Sequence, residues 1–310
     1  MALDITALNT VLGAYLRENR NIMLSELVLG DDFERRFEIY EGVKDELAMP
    51  NLTITDLVKP ADASTFSPTG NALAFDAQLL KVRGLKVDLQ IVPSDLENTW
   101  LGTLRKRGQD PHDLPFEQFI MDRIIAKTRE NVYMKAIYNG TYNASGTTPG
   151  ATMDGFLKLI ADAVTASKLT PVVTGAITAA NVEEKLLMVY DALDEAYKLG
   201  TTQMKVSAQI FDWYIRHQRT TYGSAQDYDG VETMLYGTMC MLVREPALGT
   251  SGRVICTPQE NMVLGIDSMS DSSNIRTQEF NRTIKVMIDF KAGVIFKELN
   301  DKVIAINDQA

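Results

Sequence analysis

The amino-acid sequence predicts a mixed α+β protein in which strands near both ends of the chain flank a long central helix. Apolar and polar residues alternate with a period of two over residues 85–91 and 284–290, as they do in strands with one buried face. Residues 116–138 instead carry their apolar side chains mainly on one helical stripe. No internal repeat is visible, which argues against a solenoid or a propeller.

The composition is that of a folded globular chain. Its 310 residues are 45% hydrophobic and 23% charged, which suffices for one large domain or two modest ones. No run of about 18 apolar residues occurs, so no membrane span is expected. The N-terminus lacks a basic segment before its apolar part, and we interpret it as an amphipathic helix and not as a signal peptide.

Charge, cysteine and histidine usage narrow the function classes. The formal net charge of −10 argues against a dedicated nucleic-acid-binding domain, because such domains usually present a basic face. Cys240 and Cys256 lie in apolar surroundings and are expected to be buried free thiols, with a disulfide as the alternative. His112 and His217 are far apart in sequence, which leaves little material for histidine-based metal or triad chemistry.

The first 95 residues are predicted to form a helix, an irregular arm and a long hairpin. Apolar residues between Leu8 and Leu16 follow helical spacing. Residues 33–37 alternate charged and aromatic side chains, which suits an arm on a neighbouring surface; the alternative is an N-terminal helix packed on the chain's own core. Strand-like runs at 52–58 and 72–92 flank a stretch rich in Pro, Ser and Thr, which predicts a hairpin with a polar tip.

The central helix is predicted to run from Phe116 to Tyr138, after a connector that contains Trp100. Pro115 suits its start, because the missing N–H group costs nothing there. Gly140 is expected to end it in the left-handed conformation common at that position. At 1.5 Å per residue, such a helix is a rod of roughly 35 Å. A loop of small polar residues and the tetrad Met153-Asp154-Gly155-Phe156 follow.

The rest of the chain is predicted to alternate helices with strands and to end in strands. Asn181 and Glu184 have the spacing of a capping box, for a helix that ends at Gly200. A short strand over residues 204–206 leads to Ser207, which is expected to cap the next helix. Residues 231–248 are interpreted as a turn entering a buried strand. In the strand-rich end, residues 292–293 are expected to break the long strand, and residues 303–306 to form the last one.

A long helix ended by Asn139-Gly140, a Gly/Ser/Thr loop and then Asp154-Gly155 resembles the spine helix and following loop of tailed-bacteriophage major capsid proteins. Their α+β fold is named after phage Hong Kong 97, and its element order agrees over about residues 30–306. The resemblance implies five parts: residues 1–48 as N-terminal helix and arm, 49–95 as the extended-loop hairpin, 96–157 as the peripheral domain with the spine helix, 158–250 as the axial domain, and 251–310 as axial strands returning to peripheral-domain strands.

The resemblance also implies a function. Such a protein is structural and not an enzyme; it assembles in the bacterial host cytoplasm into the icosahedral shell, or head, of the virion. The implied partners are further copies of the chain in pentamers and hexamers, a scaffolding protein, a portal protein and decoration proteins, with no membrane. Double-stranded DNA would be enclosed without sequence-specific binding, since a negative inner wall repels phosphates. A separate scaffolding protein or a very short prohead segment is expected.

No catalytic, cofactor-binding or metal-ligating residue is predicted. Asp267 and Asp271 lie in a serine-rich loop that could hold a calcium ion, but the EF-hand pattern is absent. The loop over residues 140–150 lacks the Gly-Lys-Ser/Thr ending of a phosphate-binding loop. Some capsid proteins of this type form a Lys–Asn isopeptide cross-link with the help of a glutamate. We predict no cross-link here, although four residues could be considered for one: Lys59, Lys81, Asn261 and Asn281.

Two other functions remain as alternatives at this point. An encapsulin-like nanocompartment shell protein uses the same fold and would bind a cargo peptide on its inner face. A soluble cytoplasmic α/β enzyme belongs to another class, and the missing catalytic pattern weighs against it.

Overall fold

The computed structural model describes residues 35–54, 73–92, 116–223, 230–267, 275–281 and 283–309. The predicted N-terminal helix, the hairpin tip, the connector with Trp100 and the loop around Asp271 lie outside these residues. Within them, no helix is long and apolar enough to cross a membrane.

Two sheets, one hairpin and five helices make up the described part of the chain. The strands are β1 (Glu38–Tyr40), β2 (Glu46–Ile54), β3 (Leu73–Lys81), β4 (Arg83–Ile91), β5 (Thr202–Val206), β6 (Glu232–Met234), β7 (Cys240–Arg244), β8 (Ile255–Pro258), β9 (Met262–Ile266), β10 (Ile275–Phe280), β11 (Thr283–Phe296) and β12 (Ala305–Ile306). The helices are α1 (Phe116–Asn131), which continues as a π-helical segment (Val132–Ile137), α2 (Phe156–Thr165), α3 (Val182–Asp191), α4 (Glu195–Lys198) and α5 (Ala208–Tyr222).

The first sheet is built around β11. Ala292 pairs with Arg83 of β4 and with Ile266 of β9, so β4 and β9 lie on opposite edges of that strand. β10 also pairs with β11, and β1 runs parallel to β9. The predicted break at residues 292–293 is wrong, because both residues continue the ladder. A glycine is required at position 293 because β11 packs closely there: a Cβ would lie 2.1 Å from the Lys81 carbonyl oxygen.

The alternation predicted for β11 is confirmed as one buried face. Ile284, Val286 and Ile288 are buried, whereas Asp289 is exposed. This face belongs to a core that also takes in side chains of α1 and α2, among them Met121, Ile125, Phe156 and Ile160. Each such side chain contributes about 1.5–3 kcal/mol when it is fully buried, so this core fastens the helices to the sheet.

The long helix is confirmed, but its last turns and its end differ from the prediction. Ile120, Met121 and Ile125 form its buried stripe. The final turns are π-helical, over Val132–Ile137. Gly140 is not left-handed, as its φ is not positive. It is needed for space, because a Cβ there would lie 2.4 Å from the carbonyl oxygens of both Ala136 and Met153.

The second sheet has the strand order β12-β8-β5-β7-β6, with β5 in its centre. β5 pairs parallel with β7 and antiparallel with β8. α3 and α5 share a core with this sheet. The strand predicted at residues 204–206 is confirmed and begins earlier, at Thr202. The predicted turn and buried strand within residues 231–248 are confirmed as the β6–β7 turn and β7.

Both helix-cap predictions in this region need correction. Asn181 occupies the N-cap position of α3, but its side chain accepts the Thr178 N–H and makes no capping bond to the helix. The helix ends at Asp191, well before Gly200. A new short helix starts because the Asp194 side chain accepts the Ala196 N–H at 3.0 Å. Ser207 is the N-cap residue of α5, although its side chain makes no capping bond either.

The predicted hairpin is confirmed as β2 paired antiparallel with β3, from Glu46 opposite Lys81 to Ile54 opposite Leu73. The run over residues 72–92 is two strands and not one. At Val82 the chain leaves the hairpin, and β4 joins the first sheet. The base of the hairpin is held by a small apolar cluster: Val43, Met49, Leu80, Val82, Val263 and Ile295.

Candidate assembly surfaces and a buried charge cluster

The loop that follows the long helix is pinned to the helix end by backbone hydrogen bonds. Gly155 N–H donates to the Gly140 carbonyl oxygen at 2.9 Å, and Leu157 N–H donates to that of Tyr138 at 3.1 Å. The Asp154 carboxylate accepts the Tyr142 N–H at 3.0 Å. These bonds hold the loop of residues 141–148, every one of which is exposed to solvent. The Asn-Gly and Asp-Gly pairs of the sequence therefore mark one close backbone crossing.

An apolar patch is exposed at one end of the second sheet, and we call it the tip patch. Its five side chains are between 38% and 63% exposed: Tyr222, Val231, Met234, Tyr236 and Met239. The rings of Tyr222 and Tyr236 stack with centroids 5.4 Å apart. Single exposed apolar residues are ordinary, whereas a group of them concentrated on the end of one helix and one strand turn is a candidate interaction surface.

Polar groups beneath the tip patch hold its aromatic rings in place. The Tyr222 hydroxyl donates to the Glu183 carboxylate at 3.3 Å, and His217 Nδ1 lies 3.2 Å from the same group. The negative charge of Glu183 raises the pKa of Tyr222. The Tyr214 hydroxyl accepts the Tyr236 N–H at 2.8 Å. The patch is thus a defined surface, anchored on α3 and α5.

A buried charge cluster joins three parts of the fold. The Glu245 carboxylate, just after β7, is fully buried and lies 2.9 Å from Arg36 Nη1. Its other oxygen accepts the Tyr133 hydroxyl of the π-helical segment at 2.5 Å. Lys205 of β5 is also fully buried; its Nζ donates to the Arg36 carbonyl oxygen at 2.8 Å and lies 3.5 Å from Glu245.

Burial dominates the electrostatics of this cluster. It lowers the pKa of Lys205 to about 8; the Glu245 carboxylate counteracts the shift and the Arg36 guanidinium adds to it. Burial, with a further contribution from Glu245, raises the pKa of Tyr138 well above its ordinary value. Arg36 and Phe37 therefore lie inside the chain's own core. This end of the predicted arm thus packs on the chain's own core, as in the alternative, but residues 35–37 form a turn and not a helix.

The cysteine prediction is confirmed: Cys240 and Cys256 are buried free thiols, with their sulfur atoms 3.9 Å apart. They lie on β7 and β8, and β5 runs between those strands. A disulfide bond would need the two sulfur atoms at about 2.05 Å, which is much closer than they lie here. Burial raises the pKa of Cys256 well above its ordinary value.

The residues considered for a cross-link are not brought together. Lys81 pairs with Glu46 across the base of the hairpin at 2.9 Å, and Lys59 lies outside the described residues. The Asn261 side chain is buried and bonds to Thr257 and to the backbone of Glu298. Asn281 lies in the turn between β10 and β11 with a φ of 56°. The absence of a cross-link stays a prediction.

One of the two aspartates of the serine-rich loop, Asp267, belongs to the described residues. Asp267 lies 3.6 Å from Lys291 Nζ, and Asp271 falls outside the described residues. Across the part of the chain that the structure covers, no three His, Cys, Asp or Glu side chains are grouped as a metal site would require.

Comparisons with known proteins find relatives by fold but not by sequence. No family model matches the sequence, and no curated protein matches it. A chain of the satellite phage P4 procapsid, which includes the size determination (Sid) protein, matches with a TM-score of 0.57 at 16% identity, over 94% of this chain and 98% of that chain. The chain has the Hong Kong 97-type capsid fold. The fold resemblance read from the sequence is thereby confirmed.

Two further structures share this Hong Kong 97-type fold with the chain. The capsid of Myoviridae phage XM1 matches with a TM-score of 0.50 at 13% identity, over 90% of this chain and 91% of that chain. A virus-like particle from Pyrococcus furiosus matches with a TM-score of 0.50 at 11% identity, over 95% and 99%. Near-complete coverage of both partners means that the whole chain, and not one module of it, corresponds to this fold.

Neither the buried charge cluster nor the tip patch was predicted from the sequence. One signal for the cluster was present: Lys205 stands between Met204 and Val206 in a strand whose five residues are all buried. A lysine there must find partners in the interior. The tip patch had no comparable signal, because exposed and buried apolar residues look alike in a sequence.

Proposed function

We propose that the protein is the major capsid protein of a tailed bacteriophage, a structural and non-enzymatic subunit that assembles into the icosahedral shell of the virion. The observation that carries this proposal is the match to a procapsid chain over 94% of this chain and 98% of that one. Exposed apolar surfaces at separate places on the subunit support it, because a shell subunit must contact several neighbours at once.

The hairpin would act as the extended loop of such a shell. β2 and β3 form a two-stranded sheet of their own, and Leu79 of β3 is exposed. A two-stranded hairpin is at best marginally stable in water unless something covers it. A neighbouring subunit is the natural cover. In the same scheme the first sheet with the long helix is the peripheral domain, and the second sheet with the tip patch is the axial domain.

The tip patch would meet copies of itself around the five-fold and six-fold axes. Each contact can be weak, because a closed symmetric shell multiplies it. The further partners we propose are a scaffolding protein, a portal protein and decoration proteins. Double-stranded DNA would be enclosed without sequence-specific contacts, in keeping with the net charge of −10. Assembly would take place in the host cytoplasm.

An encapsulin-like nanocompartment is the second candidate, and the likeness to the virus-like particle from Pyrococcus furiosus favours it. Such a shell would carry a cargo protein, whereas a phage shell would carry DNA. Negative-stain electron microscopy with size-exclusion chromatography of the purified protein tests the shared part of both proposals. Closed shells, tubes or capsomer rings support a shell protein, and shell diameter with the co-purified contents separates the two. A monodisperse monomer at all concentrations and salts would refute both.

The role of the tip patch can be tested by substitution. Tyr236→Ser should lower the yield of shells without changing the melting temperature of the subunit, because the ring is mostly exposed. Leu199→Ser is the matched control, since Leu199 is 85% exposed and lies outside the patch. A shell yield for Tyr236→Ser equal to that of the unsubstituted protein would exclude the patch from the assembly contacts.

A further inference from the structure

Among the residues that the structure describes, the buried charge cluster holds more positive than negative charge. Arg36 and Lys205 are both cations, and Glu245 is the one carboxylate whose described contacts reach both of them. All three lie in the interior. A buried ion pair is tolerated when its charges balance and its hydrogen bonds are satisfied, whereas an additional buried charge carries a desolvation cost. The excess buried positive charge therefore acts against the burial of Arg36, and we call this effect the opposing force.

The distances show that Arg36 has closer contact with the Glu245 carboxylate than Lys205 has. The Arg36 guanidinium lies 2.9 Å from Glu245 and donates to the Arg244 carbonyl oxygen at 3.1 Å. The short hydrogen bond of Lys205 goes instead to the Arg36 backbone, at 2.8 Å, and its Nζ lies 4.7 Å from the centre of the Phe37 ring. Lys205 thus holds the Arg36 backbone while its charge repels the Arg36 side chain.

The cluster would be balanced without Arg36. If the segment with Arg36 and Phe37 left its place, Lys205 and Glu245 would remain as one cation and one anion. In place, Phe37 keeps the segment seated: it is 1% exposed and stacks on Phe156 with centroids 5.5 Å apart. We propose that the cluster is a seat from which the segment carrying Arg36 and Phe37 can be released, and that the buried charge of Lys205 favours this release.

This seat should respond to pH through Lys205. The titratable and charged groups that face it are Arg36 on the entering segment, Glu245 after β7, and Tyr133 and Tyr138 at the end of the long helix. The pKa of Lys205 is lowered to about 8 in the seated state. Release would remove part of the burial and the Arg36 charge, which both lower this pKa, and would leave Glu245, which raises it. Lys205 therefore binds its proton less tightly in the seated state than in the released state. The opposing force is fully present below pH 8 and is lost as the pH rises from about 8 towards the ordinary lysine value.

Chymotrypsin cleavage after Phe37, followed by mass spectrometry of the fragment that begins at Glu38, measures release in the full-length subunit. The Phe37 ring is 1% exposed in the seated state and must enter the protease pocket, so the cleavage rate tracks the released population when opening and closing are fast. Each rate is normalised to that of a peptide of residues 30–42 at the same pH. Lys205→Met removes the opposing charge and leaves Arg36 and Glu245 as a pair. Lys127→Met, on the exposed face of α1, is the matched control.

We expect Lys205→Met to slow the cleavage by about tenfold or more at pH 7.5, and the control to leave it unchanged. In the unsubstituted protein the rate should fall by up to about tenfold for each pH unit above 8, and this fall should be absent in Lys205→Met. Should Lys205→Met fail to fold, the pH profile of the unsubstituted protein still decides. A flat profile, or faster cleavage in a folded Lys205→Met, would overturn the proposal. The measurement uses the subunit alone, so its outcome is independent of shell formation.

Discussion

Removing the negative charge of the buried cluster should be among the most damaging single substitutions in this protein. Glu245→Gln keeps the size of the side chain and replaces its carboxylate by an amide. The carboxylate lies 2.9 Å from Arg36 and 3.5 Å from Lys205, and it accepts the Tyr133 hydroxyl at 2.5 Å. The substitution leaves two cations in the interior without an anion, and breaking a buried pair in this way costs about 3–5 kcal/mol.

The assay is urea unfolding of the full-length chain, followed by circular dichroism and by tryptophan fluorescence, with the free energy taken from the midpoint and slope. Glu130→Gln is the matched control. It makes the same chemical change in an ion pair with Lys127 of the same 2.8–2.9 Å length, but in that pair both side chains are more than half exposed. Exposed pairs contribute about 0–1 kcal/mol. If both variants lost less than about 1 kcal/mol, the cluster would not be the buried, charged unit described above.

Three further outcomes are expected. Gly155→Ala should lower the free energy of unfolding by about 1–3 kcal/mol, because its Cβ would lie 2.6 Å from one backbone oxygen and 2.7 Å from another at the helix end; Gly84→Ala, with nothing within 4 Å, should be near neutral in the same unfolding assay. Treatment of the folded protein with a thiol oxidant should leave Cys240 and Cys256 reduced, which a thiol count after unfolding would check, because both side chains are fully buried and an oxidant in solution does not reach them. Assembled particles should run as single subunits on a denaturing gel, and a ladder of covalent oligomers would contradict the absence of a cross-link.

Elements with a strong local pattern could be predicted from the sequence. The stripe containing Ile120 and Ile125 predicted the long helix, since an amphipathic helix repeats its apolar face every three to four residues whatever it packs against. The alternation in β4 and β11 predicted two strands for the same reason. These two strands pair with each other over Ile284–Ala292, which no local pattern could indicate.

The errors arose where distant partners decide the structure. Residues 72–92 form one continuous extended run, and the exchange of partners at Val82 depends on β2 and β11, which are remote in sequence. Gly140 was predicted to end the helix in the left-handed conformation, and Gly293 to break the long strand. Their actual role is to let two backbone segments approach closely, and the second segment comes from elsewhere in the chain. A glycine in a sequence can indicate that a side chain would not fit, but it does not indicate which segment lies against it.

The π-helical segment shows why the buried cluster could not be found by helical periodicity. Tyr133 and Tyr138 are five residues apart, and in a regular α-helix their side chains would point about 140° away from each other. In a π-helix, hydrogen bonds join residues five apart and bring them close to the same face. Their rings lie 6.5 Å apart here, and the Glu245 charge acts on Tyr138 as well as accepting the Tyr133 hydroxyl. The wider turn therefore places both tyrosine rings near one carboxylate, and of the two hydroxyls that of Tyr133 donates to it. The Asn139 side chain donates to the Ala247 carbonyl oxygen at 2.6 Å and fixes the helix end against the same segment. The long helix, the second sheet and the entering segment meet at this turn, so a change in its register would disturb all three together.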